Sequence, residues 1–201
     1  MTLQGQRLSQ HGSEGARRSS SASAAIDLSR LAERALEAAA QRNASIVTAE
    51  SCTAGKLAAH LSEAPGAAER LHGSFVTYTK ANKIKSLGVS ADLLQREGAV
   101  CREVAVAMAE GALVRSPASV AVSITGVAGP DPDDDGNPVG LVCIAIARVD
   151  GETIHLERRY GDVGRDAVQE RAMADALGAL IDVVETNGGL HAAPTDRAAQ
   201  G

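Results

Sequence analysis

The 201 residues carry a formal net charge of −5, with 44% apolar side chains but no Trp, one Phe (Phe75) and two Tyr (Tyr78 and Tyr160). A negative chain so poor in aromatic rings lacks both the cationic field and the stacking platforms that nucleic-acid binding uses, so no nucleic acid is expected as a partner. Cys52, Cys101 and Cys143 are widely spaced and fit neither a disulfide framework nor a zinc site. With no apolar run near the roughly 20 residues that span a bilayer, a cytoplasmic protein without membrane contact is expected.

Residues 1–25 are rich in Ser, Gly, Gln and Arg and read as a disordered tail, as does 188–201 at the other end. The folded domain is expected over 26–187. It opens with a helix, Ile26 to Gln41, with Leu28, Leu31, Ala32, Ala35, Leu36 and Ala39 on one face. Ile46 to Thr48 reads as a strand and Lys56 to Ala64 as a helix that Pro65-Gly66 ends. Ser74 to Thr79 is a second strand, followed by short helical turns at Asn82–Leu87 and Ala91–Arg96 and a longer helix at Arg102–Arg115. A third strand, Ser119 to Ile124, leads into a Gly/Pro/Asp loop, Gly126 to Gly140. Leu141–Val149 and Thr153–Tyr160 read as strands joined by a two-residue hairpin at Asp150-Gly151, before a last helix from Arg165 to Glu185. Near-continuous apolar strands between helices imply a sheet buried on both faces. The expected fold is α/β, a three-layer α/β/α sandwich with a mixed, mostly parallel sheet. Its apolar, aromatic-poor helices lead us to expect a homo-oligomer.

Ser51 lies at the first strand-to-helix turn, where free N–H groups and the helix dipole favour negative charge. It is either an N-cap or a nucleophile beside an oxyanion site. If the first and third strands are parallel, the small-residue loops Glu50–Gly55 and Thr125–Pro130 emerge at one carboxyl edge, where open α/β sheets bind ligands. Tyr78 and Lys83 follow the second strand, and a desolvated, neutral lysine is a known proton acceptor for a serine nucleophile. Cys52 competes with Ser51 for the nucleophile role or serves as buried filler. Asp131 to Gly136 matches half of a calcium loop, but Val142 stands where a bidentate Glu is needed. His11, His60, His72, His155 and His191 show no ligand spacing, so no metal and no cofactor are expected.

Several stretches then occur in a characteristic order: Thr48-Ala49-Glu50-Ser51-Cys52-Thr53-Ala54-Gly55, Phe75-Val76-Thr77-Tyr78 with Lys83, Leu87-Gly88-Val89, and Glu97-Gly98-Ala99-Val100. Ser123-Ile124-Thr125-Gly126-Val127-Ala128-Gly129-Pro130, Pro138-Val139-Gly140, and Gly161-Asp162 with Arg165 and Arg171 complete the set. Together they resemble the CinA C-terminal-domain family, whose characterised members are nicotinamide-nucleotide amidohydrolases. The resemblance implies hydrolysis of the carboxamide of nicotinamide mononucleotide to nicotinate mononucleotide and ammonia. Its small-molecule partner would be that nucleotide. By the same resemblance Ser51 is the nucleophile, Lys83 the general base and Tyr78 a polar partner of the lysine or the intermediate. Thr53, Gly55, Thr125 and Gly126 would bind the oxyanion or substrate, and Arg165 the phosphate. The alternative is a pyridine-nucleotide-binding protein with little or no deamidase activity. Three positions depart from the family pattern: Lys80 stands where Asn is usual, Ala54 replaces a Gly, and Asn137 replaces a basic residue. Lys80 is expected to depress the pKa of Lys83 or to alter the substrate pocket.

Overall fold

The computed structural model describes residues 26–186; the tails read at 1–25 and 188–201 lie outside the described residues. In chain order the elements are α1 (Leu28–Gln41), β1 (Ile46–Glu50), α2 (Lys56–Glu63), α3 (Ala67–Arg70), β2 (Leu71–Val76) and α4 (Lys80–Asn82). A π-helical turn (Lys83–Leu87) continues α4, followed by α5 (Ala91–Glu97), α6 (Arg102–Val114), β3 (Val120–Gly126), β4 (Leu141–Arg148), β5 (Ile154–Arg159) and α7 (Arg165–Thr186). The strands form one sheet in the order β2-β1-β3-β4-β5. β1 is parallel to both neighbours, and only β4 runs against the rest. This is the expected mixed-sheet α/β fold. No helix among the described residues is long and apolar enough to cross a membrane.

The sheet is buried on both faces, and the two faces differ in side-chain size. Ile46, Val120, Val122, Ile124, Val142, Ile144 and Ile146 pack against α1, α2 and α7. On the opposite face Ala49, Ala121, Cys143, Ala145 and Ala147, with Val47 and Leu141 as the larger members, meet α6 and the π-helical turn. Small strand side chains let α6 approach the sheet closely. The Ser123 hydroxyl donates to the Ala105 carbonyl of α6 at 2.6 Å, a contact only a short side chain allows. Farther along α6, Gly111 lies against the π-helical turn, where a Cβ would stand 2.1 Å from the Leu87 carbonyl oxygen.

Three local expectations change. The second strand begins earlier, at Leu71, and ends at Val76. It is an edge strand with alternating exposure, so His72 and Gly73 mask its first half. A short helix, α3, occupies the stretch after Pro65-Gly66 that carried no periodic signal. The two-residue hairpin at Asp150-Gly151 is overturned: the β4–β5 ladder closes at Ile146 with Ile154, and the connection runs from 149 to 153. There the Val149 N–H bonds to the carbonyl of Ser119, the residue just before β3, at 3.2 Å, which draws away the residue that a tight turn needs.

The Gly111 contact yields a prediction. Backbone cannot yield as a flexible side chain can, so Gly111→Ala must displace α6 or the π-helical turn. A loss of about 1–3 kcal/mol in urea unfolding is expected; unchanged stability would show that the two elements are not in firm contact.

Candidate active site

The connection from β1 leads to β2 on one side of it, and the connection from β2 returns to β3 on the other. The order of strands therefore reverses between β1 and β3, at the place where open α/β sheets bind ligands. The Ser51 N–H donates to the Ile124 carbonyl at 2.9 Å and the Thr77 N–H to the Glu50 carbonyl at 2.7 Å, which ties the ends of β1, β2 and β3 together. Ser51, Cys52, Tyr78, Thr125, Gly126 and Arg165 line one cleft of about 490 Å³ at this edge. Thr53, Gly55 and Lys83 do not line it; they lie beneath or behind it.

Thr53 and Gly55 are engaged by a residue that sequence reasoning missed. Glu50, fully buried at the end of β1, accepts from the Thr53 hydroxyl at 2.8 Å and from the N–H groups of Gly55 at 2.9 Å, Leu57 at 3.1 Å and Ala58 at 2.9 Å. The Thr48 and Ser74 hydroxyls also face its Oε1, at 3.0 and 3.4 Å. A carboxylate thus fills the positive end of α2, and Ser51 is not its cap. The signal in the sequence was an acidic residue ending an apolar strand just before a helix, the position that the helix dipole favours. The intervening turn passes through two left-handed residues, Ala54 (φ +53°) and Gly55 (φ +93°). That conformation accounts for glycine being the usual residue at position 54. Within the turn the Cys52 N–H faces its own thiol, and no acceptor among the described residues meets the Thr53 N–H.

Lys83, the first residue of the π-helical turn, is fully buried. Its Nζ donates to the Thr77 carbonyl at 2.8 Å, so the lysine is held by backbone and not by Tyr78, which is 60% exposed on the cleft wall. Burial lowers the Lys83 pKa from 10.5 to about 8, and the nearby Cys52 opposes this only in part. Lys80 plays no part in that shift. Desolvation likewise pushes the Cys52 thiol up to about 12, against the pull of Lys83, so the thiol is protonated at neutral pH. An ammonium here would hold several N–H donors in a dry space.

On the opposite wall, the Thr125 hydroxyl donates to the Ala99 carbonyl at 2.8 Å, and the Ala99 N–H donates to Asp135 Oδ2 at 3.0 Å. Lys80 Nζ lies 2.5 Å from Asp135 Oδ1, so the departure at position 80 pairs with an acid of the β3–β4 loop. Asp133 Oδ1 accepts from the N–H groups of Asp135 at 3.1 Å and Asn137 at 2.7 Å, shaping that loop from within. Among the described residues no group of three or more His, Cys, Asp or Glu could hold a metal ion. Arg165, at the start of α7, donates to the Gly129 carbonyl. One turn on, buried Gln169 donates to the Cys52 carbonyl at 2.6 Å and accepts from Lys56 Nζ at 2.6 Å, clamping the Ser51 turn to α7.

Glu50→Gln tests how far the turn depends on this charge. One carboxylate oxygen would become an NH2 group facing N–H and O–H donors, and a loss of about 2–4 kcal/mol in urea unfolding is expected. Full retention of stability would mean that α2 does not rely on the carboxylate.

The CinA C-terminal domain model matches residues 28–184. A protein of Pseudomonas putida named nicotinamide-nucleotide amidohydrolase PncC is 40% identical over 141 residues, which cover 70% of this chain and 87% of that one. Its namesake from Escherichia coli is 41% identical over 155 residues, covering 77% and 93%. A CinA-like protein of a Mycobacterium species is 47% identical over 66% of this chain, but the match spans only 31% of that longer protein. Among solved structures, the competence/damage inducible protein CihA from Agrobacterium tumefaciens superposes with a TM-score of 0.75 at 40% identity, over 78% of this chain and 94% of that one. The chain belongs to the CinA C-terminal domain family.

Proposed function

We propose that the protein is an amidohydrolase that converts nicotinamide mononucleotide to nicotinate mononucleotide and ammonia through Ser51 and Lys83. The observation that carries the reading is a buried lysine with its pKa lowered to about 8, behind a cleft whose wall presents the Ser51 hydroxyl. The names of the Pseudomonas putida and Escherichia coli relatives supply the substrate.

In this reading neutral Lys83 takes the Ser51 proton as Oγ attacks the carboxamide carbon. Negative charge then builds on the amide oxygen. The α2 N-terminus is already occupied by Glu50, so the Thr53 N–H is the free oxyanion donor of this turn, with the Cys52 N–H, which faces its own thiol, beside it. Protonated Lys83 returns its proton to the leaving nitrogen, ammonia departs, and Ser51 is left as an ester. Water then attacks the ester with Lys83 again as base, releasing the carboxylate and restoring Ser51. Cys52, protonated and buried, packs beside the lysine and is not the nucleophile.

Purified protein is expected to release ammonia from nicotinamide mononucleotide. Ser51→Ala should lower kcat by about a thousandfold or more, while Cys52→Ala retains activity. Nucleotide binding without ammonia release would overturn the amidase reading in favour of a binding protein; loss in Cys52→Ala alone would transfer the nucleophile role to the thiol.

The pH profile tests the base. Only the neutral amine accepts a proton, and its fraction grows as pH rises toward the Lys83 pKa of about 8. kcat/KM should therefore climb about tenfold per pH unit below that value and level off above it. A profile flat from pH 6 to 9 would exclude Lys83 as the titrating base.

A further inference from the structure

Two cations line the cleft, Lys80 at the start of α4 and Arg165 at the start of α7, against four acids of the β3–β4 loop, Asp131, Asp133, Asp134 and Asp135. Their partners differ in kind. Arg165 donates to a neutral carbonyl, that of Gly129, and keeps its full charge toward the cleft. Lys80 is neutralised by Asp135 at 2.5 Å. The pair is also mechanically lopsided. Asp135 is fixed independently of Lys80: its Oδ2 accepts from the Ala99 N–H at 3.0 Å, its own N–H donates to Asp133 at 3.1 Å, and Gly98 makes room for it. A Cβ on Gly98 would stand 2.7 Å from Asp135 Oδ2. Among the described residues Lys80 Nζ has no partner besides Asp135, and its side chain is 43% exposed. A half-exposed ion pair is weakly held, so the lysine is the end that moves when it opens.

We propose that Lys80 is a second phosphate-binding cation of this cleft, parked on Asp135 in the free protein and transferred to the phosphate of the bound nucleotide. This rests on the reading of the cleft as a mononucleotide site, not on catalysis there. A phosphate entering between four carboxylates meets repulsion that Arg165 alone must overcome. A lysine ammonium, a compact point charge on a long stem, serves a phosphate without the fixed geometry that a guanidinium requires. Asp135 then acts as a competitor for Lys80 and tunes affinity for the phosphorylated ligand.

The two partners of the pair must therefore give opposite effects. Calorimetric titration of nicotinamide mononucleotide into Lys80→Ala should show Kd raised about tenfold, and into Asp135→Asn lowered about three- to tenfold. Asn at 135 still accepts from Ala99 N–H through its carbonyl, so the loop keeps its anchor while Lys80 is released. Nicotinamide riboside, which lacks the phosphate, should bind both variants and the parent within about twofold of one another. Shifts of the same sign in both variants would reduce the pair to a loop latch and overturn the proposal. So would equal shifts with the riboside, no shift in either variant, or parent protein that binds the nucleotide no tighter than the riboside. Should a variant misfold, the salt dependence of nucleotide binding by Lys80→Arg decides: a slope matching the parent's supports the proposal, and a loss of that slope overturns it. Ammonia release by the parent is scored separately, so a failed amidase reading and a failed phosphate assignment leave different records.

Discussion

A carboxylate sealed under the end of β1 sets the geometry from which the rest of the site follows. Glu50 is surrounded by N–H and O–H donors, from Gly55, Leu57, Ala58, Thr53 and Thr48. A buried negative charge is tolerable only where such donors converge. Here they converge because α2 begins directly over the strand. The chain must turn back within a few residues to achieve this, through the left-handed pair Ala54 and Gly55. Ser51 sits at the start of that turn, where the Ile124 carbonyl fixes its backbone. Position and orientation of the serine thus follow from the solvation of Glu50. A consequence for chemistry is that the helix dipole is already satisfied, and charge developing at the cleft must be met by the turn itself.

The difference between the two faces of the sheet governs the other half of the site. Branched side chains hold α1 and α7 away from one face, while alanines and Ser123 draw α6 onto the other. The close approach of α6 at Gly111 presses on the π-helical turn, whose first residue is Lys83. Burial at the start of that turn keeps water from the amine and holds it below its ordinary basicity.

Much of this was legible in the chain. The strand-to-helix turn at Ser51 and the small-residue loop at Thr125 stand out because apolar strands end abruptly in both, and their common edge follows from parallel pairing. Other features were not legible, for reasons that are physical. Lys80 could be seen as an added charge near Lys83, yet its partner lies 55 residues away in a loop without periodicity, and the pairing draws it off the base. Glu50 reads as one more motif residue until α2 is known to start above it. Gln169 is a polar residue within a helix that is apolar over much of its buried face, and only the packing of α7 against the turn shows that both its amide atoms are used. The edge strand β2 and the β4–β5 connection differ from expectation because half-exposed backbone carries little pattern.

Lys83 and Cys52 share one dry space, and their protonation pulls the folding equilibrium in opposite directions as pH changes. The folded lysine titrates near 8 against 10.5 when free, so the unfolded chain holds the extra proton between those values and stability rises across that window. The folded thiol titrates near 12 against 9.0, so above 9.0 it is the native state that holds the extra proton, and stability falls. Below pH 8 the full cost of keeping an amine out of water opposes folding. Around pH 9 to 10 the two contributions work against each other. At neutral pH the lysine's contribution is therefore flat; it begins to rise only near pH 8, where added alkalinity both frees the base and firms the fold around it.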